Sequence, residues 1–152
     1  MYLFLKNGQC VYARDYSEKY RQQVERLGLQ ERVILTGTLK NVDDYLHKSS
    51  IFAFPSSSEG FPNVVGEAMS AGLPVVSYDC VAGPSDMIED GVNGFLIPVF
   101  DDGLMKEKLE YLMNHEEERQ KMGENARRSM KRFDCNTVCQ KYYDFITNDI
   151  AL

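Results

Sequence analysis

At 152 residues the chain is the size of one domain with its own core. Its 43% hydrophobic and 26% charged content is that of a globular protein, and its net charge of −6 argues against nucleic acid or anionic lipid as a partner. No apolar run approaches the roughly 20 residues that span a bilayer, and the start Met-Tyr-Leu-Phe-Leu-Lys is too short and lacks the basic lead of a secretory signal.

Tyr2 to Ala13 holds two β-prone runs around Asn7-Gly8, a strong hairpin signal. A helix is predicted from about Ser17 to Leu27, with Ser17 as cap, Tyr20, Val24 and Leu27 as its apolar stripe, and Gly28 as terminator. Val33 to Thr36 reads as a strand. Val42 to Lys48 reads as a short helix with Asp43 and Asp44 in its first turn. Ile51 to Phe54 is a buried strand stopped by Pro55. A helix over 62–71 follows, closed by Gly72, and then a strand over 74–78. Met87 falls in a short helix capped by Ser85, and Gly94 to Pro98 is a last strand. Helices over 102–114, 116–132 and 136–148 complete the chain. Strands alternating with helices predict an α/β fold, a doubly wound and mostly parallel sheet in a single domain, 1–152.

The stretch Pro55 to Val76 carries the chemistry. Glu59 lies in the loop at a strand's carboxyl end, and Glu67 lies one to two turns inside the next helix. Between them are the free amides of a helix start, a seat for phosphate. A carboxylate offers two acceptor oxygens, which suit paired hydroxyls on a sugar or ribose. Two diol acceptors flanking a phosphate seat outline a nucleotide-sugar.

Ser57-Ser58-Glu59-Gly60-Phe61-Pro62-Asn63, Glu67-Ala68-Met69, Gly72 and Pro74-Val75-Val76 resemble the donor-binding half of the retaining GT-B glycosyltransferases of family 4. The resemblance extends upstream through Leu27-Gly28-Leu29, Val33, Gly37 and Val42-Asp43-Asp44-Tyr45-Leu46. Downstream it runs through Gly83-Pro84 to Gly94-Phe95-Leu96-Ile97, covering about 9–133. It implies a Rossmann-like domain that binds a nucleotide-sugar, UDP- or GDP-linked, and takes part in hexosyl transfer with retention. It casts Glu59 as the catalytic acid beside the transferred sugar and Gly60, Phe61 and Pro62 as the wall of its pocket. Asn63 and Val64 would offer amides to the diphosphate, and Glu67 would bind ribose. Gly37, Thr38 and Leu39 would meet the nucleobase through main chain. The family requires no metal and no further cofactor. The acceptor would be a glycan or a lipid-linked glycan, and the location cytoplasmic, at most peripheral to a membrane's inner face. Ser85 and Asp86 depart from the Arg or Glu common after Gly-Pro in the family.

The resemblance also exposes absences. Whole enzymes of this kind have a first Rossmann-like domain that completes the active site, and none of it is here. The strand–helix unit that opens the second domain, with its Arg and Lys for the diphosphate, is missing too, and Lys6, Arg14 and Lys40 are stand-ins without motif support. In a doubly wound sheet the first strand is central. Tyr2 to Lys6 is therefore expected to fold back antiparallel into the vacant slot between 10–13 and 51–54. The alternative makes Tyr2 to Lys6 the family's second strand, followed by a loop insertion. A stand-alone nucleotide-sugar or protein-binding module without turnover is the second functional reading, and a GT-B epimerase a third.

The remaining chemistry-bearing residues read as structural. Cys10, Cys80, Cys135 and Cys139 contain no CxxC pair and imply reduced thiols rather than a structural zinc site, although Cys135 and Cys139 can share a helix face. His47 reads as a surface residue and His115 as a helix-end residue. The basic stretch Lys121 to Arg132 reads as a solvated helix face. Tyr142, Phe145, Ile146 and Ile150 form an apolar stripe on the last helix, destined for the core or for a partner.

Overall fold

The computed structural model describes residues 2–6, 8–13 and 18–148, with side chains for 8–13 and 18–147. A six-stranded sheet runs in the order β3-β2-β1-β4-β5-β6. The strands are β1 (Tyr2–Lys6), β2 (Gln9–Ala13), β3 (Val33–Leu35), β4 (Ile51–Phe54), β5 (Val75–Tyr78) and β6 (Gly94–Ile97). β2 with β3, β4 with β5 and β5 with β6 are parallel. β1 is antiparallel to both its neighbours, with Leu3 opposite Tyr12 on one side and Ala53 on the other.

This is the strand order of a doubly wound sheet with its central strand reversed. The hairpin arm fills the vacant slot, and the alternative of a loop insertion after Tyr2–Lys6 is excluded by the pairing on both sides. Gly8 turns the hairpin with φ at +77°, a conformation glycine reaches without strain. Asn7 and the proposed cap Ser17 lie outside the described residues.

Helices cover both faces, so the strands read as continuous apolar runs. β4 and β5 are buried at every position, and their alternation sends side chains to two cores. Phe52, Phe54 and Val75 join Leu46, Val65, Met69 and Met87 under α2 (Val42–Lys48), α3 (Asn63–Ser70) and α4 (Pro84–Met87). Ile51, Val76 and Tyr78 join Ile97, Met105, Leu112 and Met122 under α5 (Asp102–Asn114) and α6 (Glu116–Ser129). Each such side chain contributes about 1.5–3 kcal/mol on burial.

Several elements differ from the sequence reading. α1 (Glu18–Arg26) buries no residue, and Tyr20 and Leu27 are exposed. Its stripe lies over the thin outer end of the sheet, where Tyr20 tilts against Tyr12 at 5.0 Å between ring centroids. α4 begins at Pro84, with Gly83 at φ +123° ahead of it, so Ser85 is inside the helix and is not its cap. α6 ends at Ser129 and tightens into a 3-10 turn, Met130–Phe133, before α7 (Cys135–Asn148).

The basic stretch has a structural use. Arg127 reaches the Ala71 carbonyl at 3.4 Å and Arg132 reaches the Asp86 carbonyl at 2.6 Å. These cations meet the carbonyl ends of α3 and α4, where positive charge is favourable.

Candidate donor-binding cleft

All the parallel strands end on one edge, where doubly wound sheets bind ligands. The loop after β4 carries Glu59, partly buried, with its Oε1 accepting from Ser56 Oγ at 2.6 Å. That bond fixes the carboxylate of a short loop and leaves its second oxygen for a ligand. Cys80, at the end of β5, lies beside it. Burial pushes the Cys80 thiol up, and the charge of Glu59 adds to the effect.

α3 starts immediately after Pro62. No side chain caps its first turn, which leaves that end polarised toward the edge. Two of its amides are turned inward: Asn63 N–H bonds the Phe61 carbonyl at 3.0 Å, and Val65 N–H bonds that of Pro62 at 2.9 Å. Glu67 stands exposed in the second turn, on the same face as Asn63 and Ser70.

The start of α3 is set by the next loop. Gly83, buried, presses on the Pro62 ring so closely that a Cβ there would overlap the ring carbons. Ala82 at φ +64° and Phe100 at φ +70° are non-glycine residues held in the left-handed region. Both sit in loops at the carboxyl edge. Such conformations persist only where the surroundings enforce them, and they gather at ligand sites.

A cleft of about 740 Å³ runs along α3, lined by Phe61, Asn63, Gly66, Glu67, Asp43 and His47 and closed by Met87, Met130, Phe133 and Asp134. A second hollow of about 380 Å³ brings Lys40, Asn41 and Asp43 against Glu67. Of the residues singled out from sequence, Phe61, Asn63 and Glu67 meet in the main cleft. Glu59, Gly60, Pro62 and Val64 shape the loop and helix start beside it. Gly37, Thr38 and Leu39 follow β3 and lead into the Lys40–Asp44 wall of the smaller hollow, with Gly37 at φ +64° making the turn.

Sequence reasoning left out Asp43, His47 and the Met130–Asp134 wall. Asp43 was visible as a first-turn acid, and His47 is exposed, with Nδ1 2.8 Å from the Asp43 carbonyl oxygen. Met130 carried no local sign of its place, because 63 residues separate it from Glu67. Among the described residues no cluster of three His, Cys, Asp or Glu could hold a metal ion. No helix among them is long and apolar enough to cross a membrane.

Comparison with known proteins bears on the family and the fold. The family model Glycosyl transferases group 1 matches residues 10–129. A poly(glycerol-phosphate) alpha-glucosyltransferase of Bacillus subtilis is 34% identical over 72% of the chain, which spans 16% of that protein. An exopolysaccharide phosphotransferase of Streptomyces coelicolor is 32% identical over 88% of the chain, which spans 14% of it. Among solved structures, Anabaena HepE in complex with UDP superposes with a TM-score of 0.83 at 26% identity, covering 92% of this chain and 41% of its own. The same protein has been solved with UDP-glucose. The chain thus has the fold of the Rossmann-like second domain of GT-B proteins and spans less than half the length of these relatives.

Proposed function

Because the chain belongs to the glycosyl transferases group 1 family, we propose that it is the donor-binding domain of a retaining, family 4 glycosyltransferase that takes a nucleotide-sugar. The observation that carries this reading is the placement of Glu59 and Glu67 on either side of the uncapped start of α3, at the carboxyl edge of the sheet. UDP is the favoured nucleotide, since HepE, matched over 92% of this chain, binds UDP and UDP-glucose; GDP is the alternative.

In this reading Glu67 accepts the ribose hydroxyls and the start of α3 faces the diphosphate. The main chain of Gly37, Thr38 and Leu39 meets the base. Gly60, Phe61 and Pro62 wall the sugar. Glu59 places negative charge beside the anomeric carbon as the bond to the diphosphate breaks and the acceptor hydroxyl attacks from the same face. Fixed charge at that point acts where charge develops in the transition state. No metal or other cofactor is invoked. Lys40, which lines the hollow beside Glu67, is the cation at hand for the diphosphate. With a net charge of −6 and no Arg/Lys pair at the motif position, this half holds a donor weakly. A first GT-B domain, in cis or as a partner, completes the site and brings the acceptor, a glycan or lipid-linked glycan.

Calorimetry with UDP-, GDP- and ADP-sugars tests the reading. Binding of one class, weakened by Glu67→Ala, supports it, and no binding by any of them overturns it. A second reading, a nucleotide-sugar-binding or protein-interaction module without turnover, is favoured by the net charge of −6, which holds an anionic donor weakly. Donor hydrolysis abolished by Glu59→Gln distinguishes the enzyme from that module.

A further inference from the structure

Cys135 and Cys139 lie one turn apart at the start of α7, both exposed, with their sulfur atoms 3.8 Å apart. Neither lines the donor cleft. The other two thiols are different in kind. Cys80 is buried and Cys10 half-buried.

The 3.8 Å separation decides what such a pair can do. A disulfide needs sulfurs about 2.05 Å apart and Cβ atoms about 3.8 Å apart. Helical spacing of four holds Cβ atoms about 5–6 Å apart, so oxidation would have to break the first turn of α7. Two thiolates on one tetrahedral ion, each at about 2.3 Å, lie about 3.8 Å from each other. The pair already has that bite.

The turn that carries it is fixed. Asp134 accepts from Thr137 N and Thr137 Oγ1, both at 2.9 Å, and Val138 N–H bonds the Asp134 carbonyl at 3.0 Å. A first helical turn favours the negative charge of bound thiolates.

We propose that Cys135 and Cys139 form a two-thiolate chelate for a soft metal ion of the zinc or cadmium kind. The ion replaces two S–H protons, which pass to solvent, and forms two metal–sulfur bonds without change of oxidation state. No cluster of three His, Cys, Asp or Glu is available among the described residues, so two coordination positions stay open to ligands from outside. This is an open chelate rather than a closed four-ligand structural site.

The test uses the whole chain, reduced with a phosphine, and Zn²⁺ or Cd²⁺ alone as probe. One ion should bind per chain, and the metal should protect Cys135 and Cys139 from alkylation, located by mass spectrometry. Cys135→Ser and Cys139→Ser, both exposed and checked for folding by circular dichroism, should each weaken binding by about tenfold or more. Unchanged affinity in either variant, or equal alkylation of the pair with and without metal, overturns the proposal.

Discussion

Glu67 is exposed, so its replacement isolates a ligand role. Glu67→Ala should leave unfolding free energy within about 0.5 kcal/mol. Hydrogen bonds to a charged group contribute about 1.5–3 kcal/mol, so the variant should weaken nucleotide binding by about ten- to a hundredfold. Glu59→Gln keeps the hydrogen bond from Ser56 in reach and removes only charge. In the completed enzyme it should lower turnover by about 10²–10³ while nucleotide affinity changes little. Gly83 carries a different burden. It combines φ +123° with contact against the Pro62 ring, so Gly83→Ala should cost about 2–4 kcal/mol in urea unfolding and weaken donor binding through the start of α3. Normal stability with normal binding would show that the loop after β5 does not set the cleft. The positions of Glu59 and Glu67 about the start of α3 were legible because their spacing and flanks are local in sequence. Asp134 and Met130 were not, because the fold brings them to α3 from the far end of α6.

Among the elements, β1 was legible by subtraction. The doubly wound pattern left a central slot, and Asn7-Gly8 offered a local means of turning a strand into it. α1 misled because periodicity reports a stripe but not whether a partner surface exists to cover it. The join between β5 and α5 has no sequence signature either. Tyr78 Oη donates to the Asp102 carboxylate, tying the end of β5 to the first turn of α5. Burial, then the bond to Asp102, pushes the Tyr78 phenol from 10.0 up to about 12. The fold therefore favours the neutral phenol. The stability this supplies is complete below pH 10, the ordinary value, and is lost as pH rises toward about 12. Tyr78→Phe should cost about 1 kcal/mol at neutral pH and flatten the loss of stability between pH 10 and 12. An alkaline unfolding profile identical to that of the parent protein would remove the phenol from the account.

At the scale of the molecule the sheet and its flanking helices form a closed core, while α7 stands outside it. Tyr142, Tyr143, Phe145 and Ile146 are each more than half exposed, at 54–68%. Of the apolar stripe read from sequence, Tyr142, Phe145 and Ile146 are left uncovered among the described residues and Ile150 lies outside them; its period alone could not distinguish a core face from an interface. If α7 contributes nothing to the core, Phe145→Ser combined with Ile146→Ser should move the unfolding free energy of this chain by no more than about 0.5 kcal/mol. It should also reduce binding of a hydrophobic dye to the native state. A loss of 2 kcal/mol or more, the scale of a buried apolar pair, would place α7 against the core in solution. In that case the stripe would be part of the core and closed to a partner.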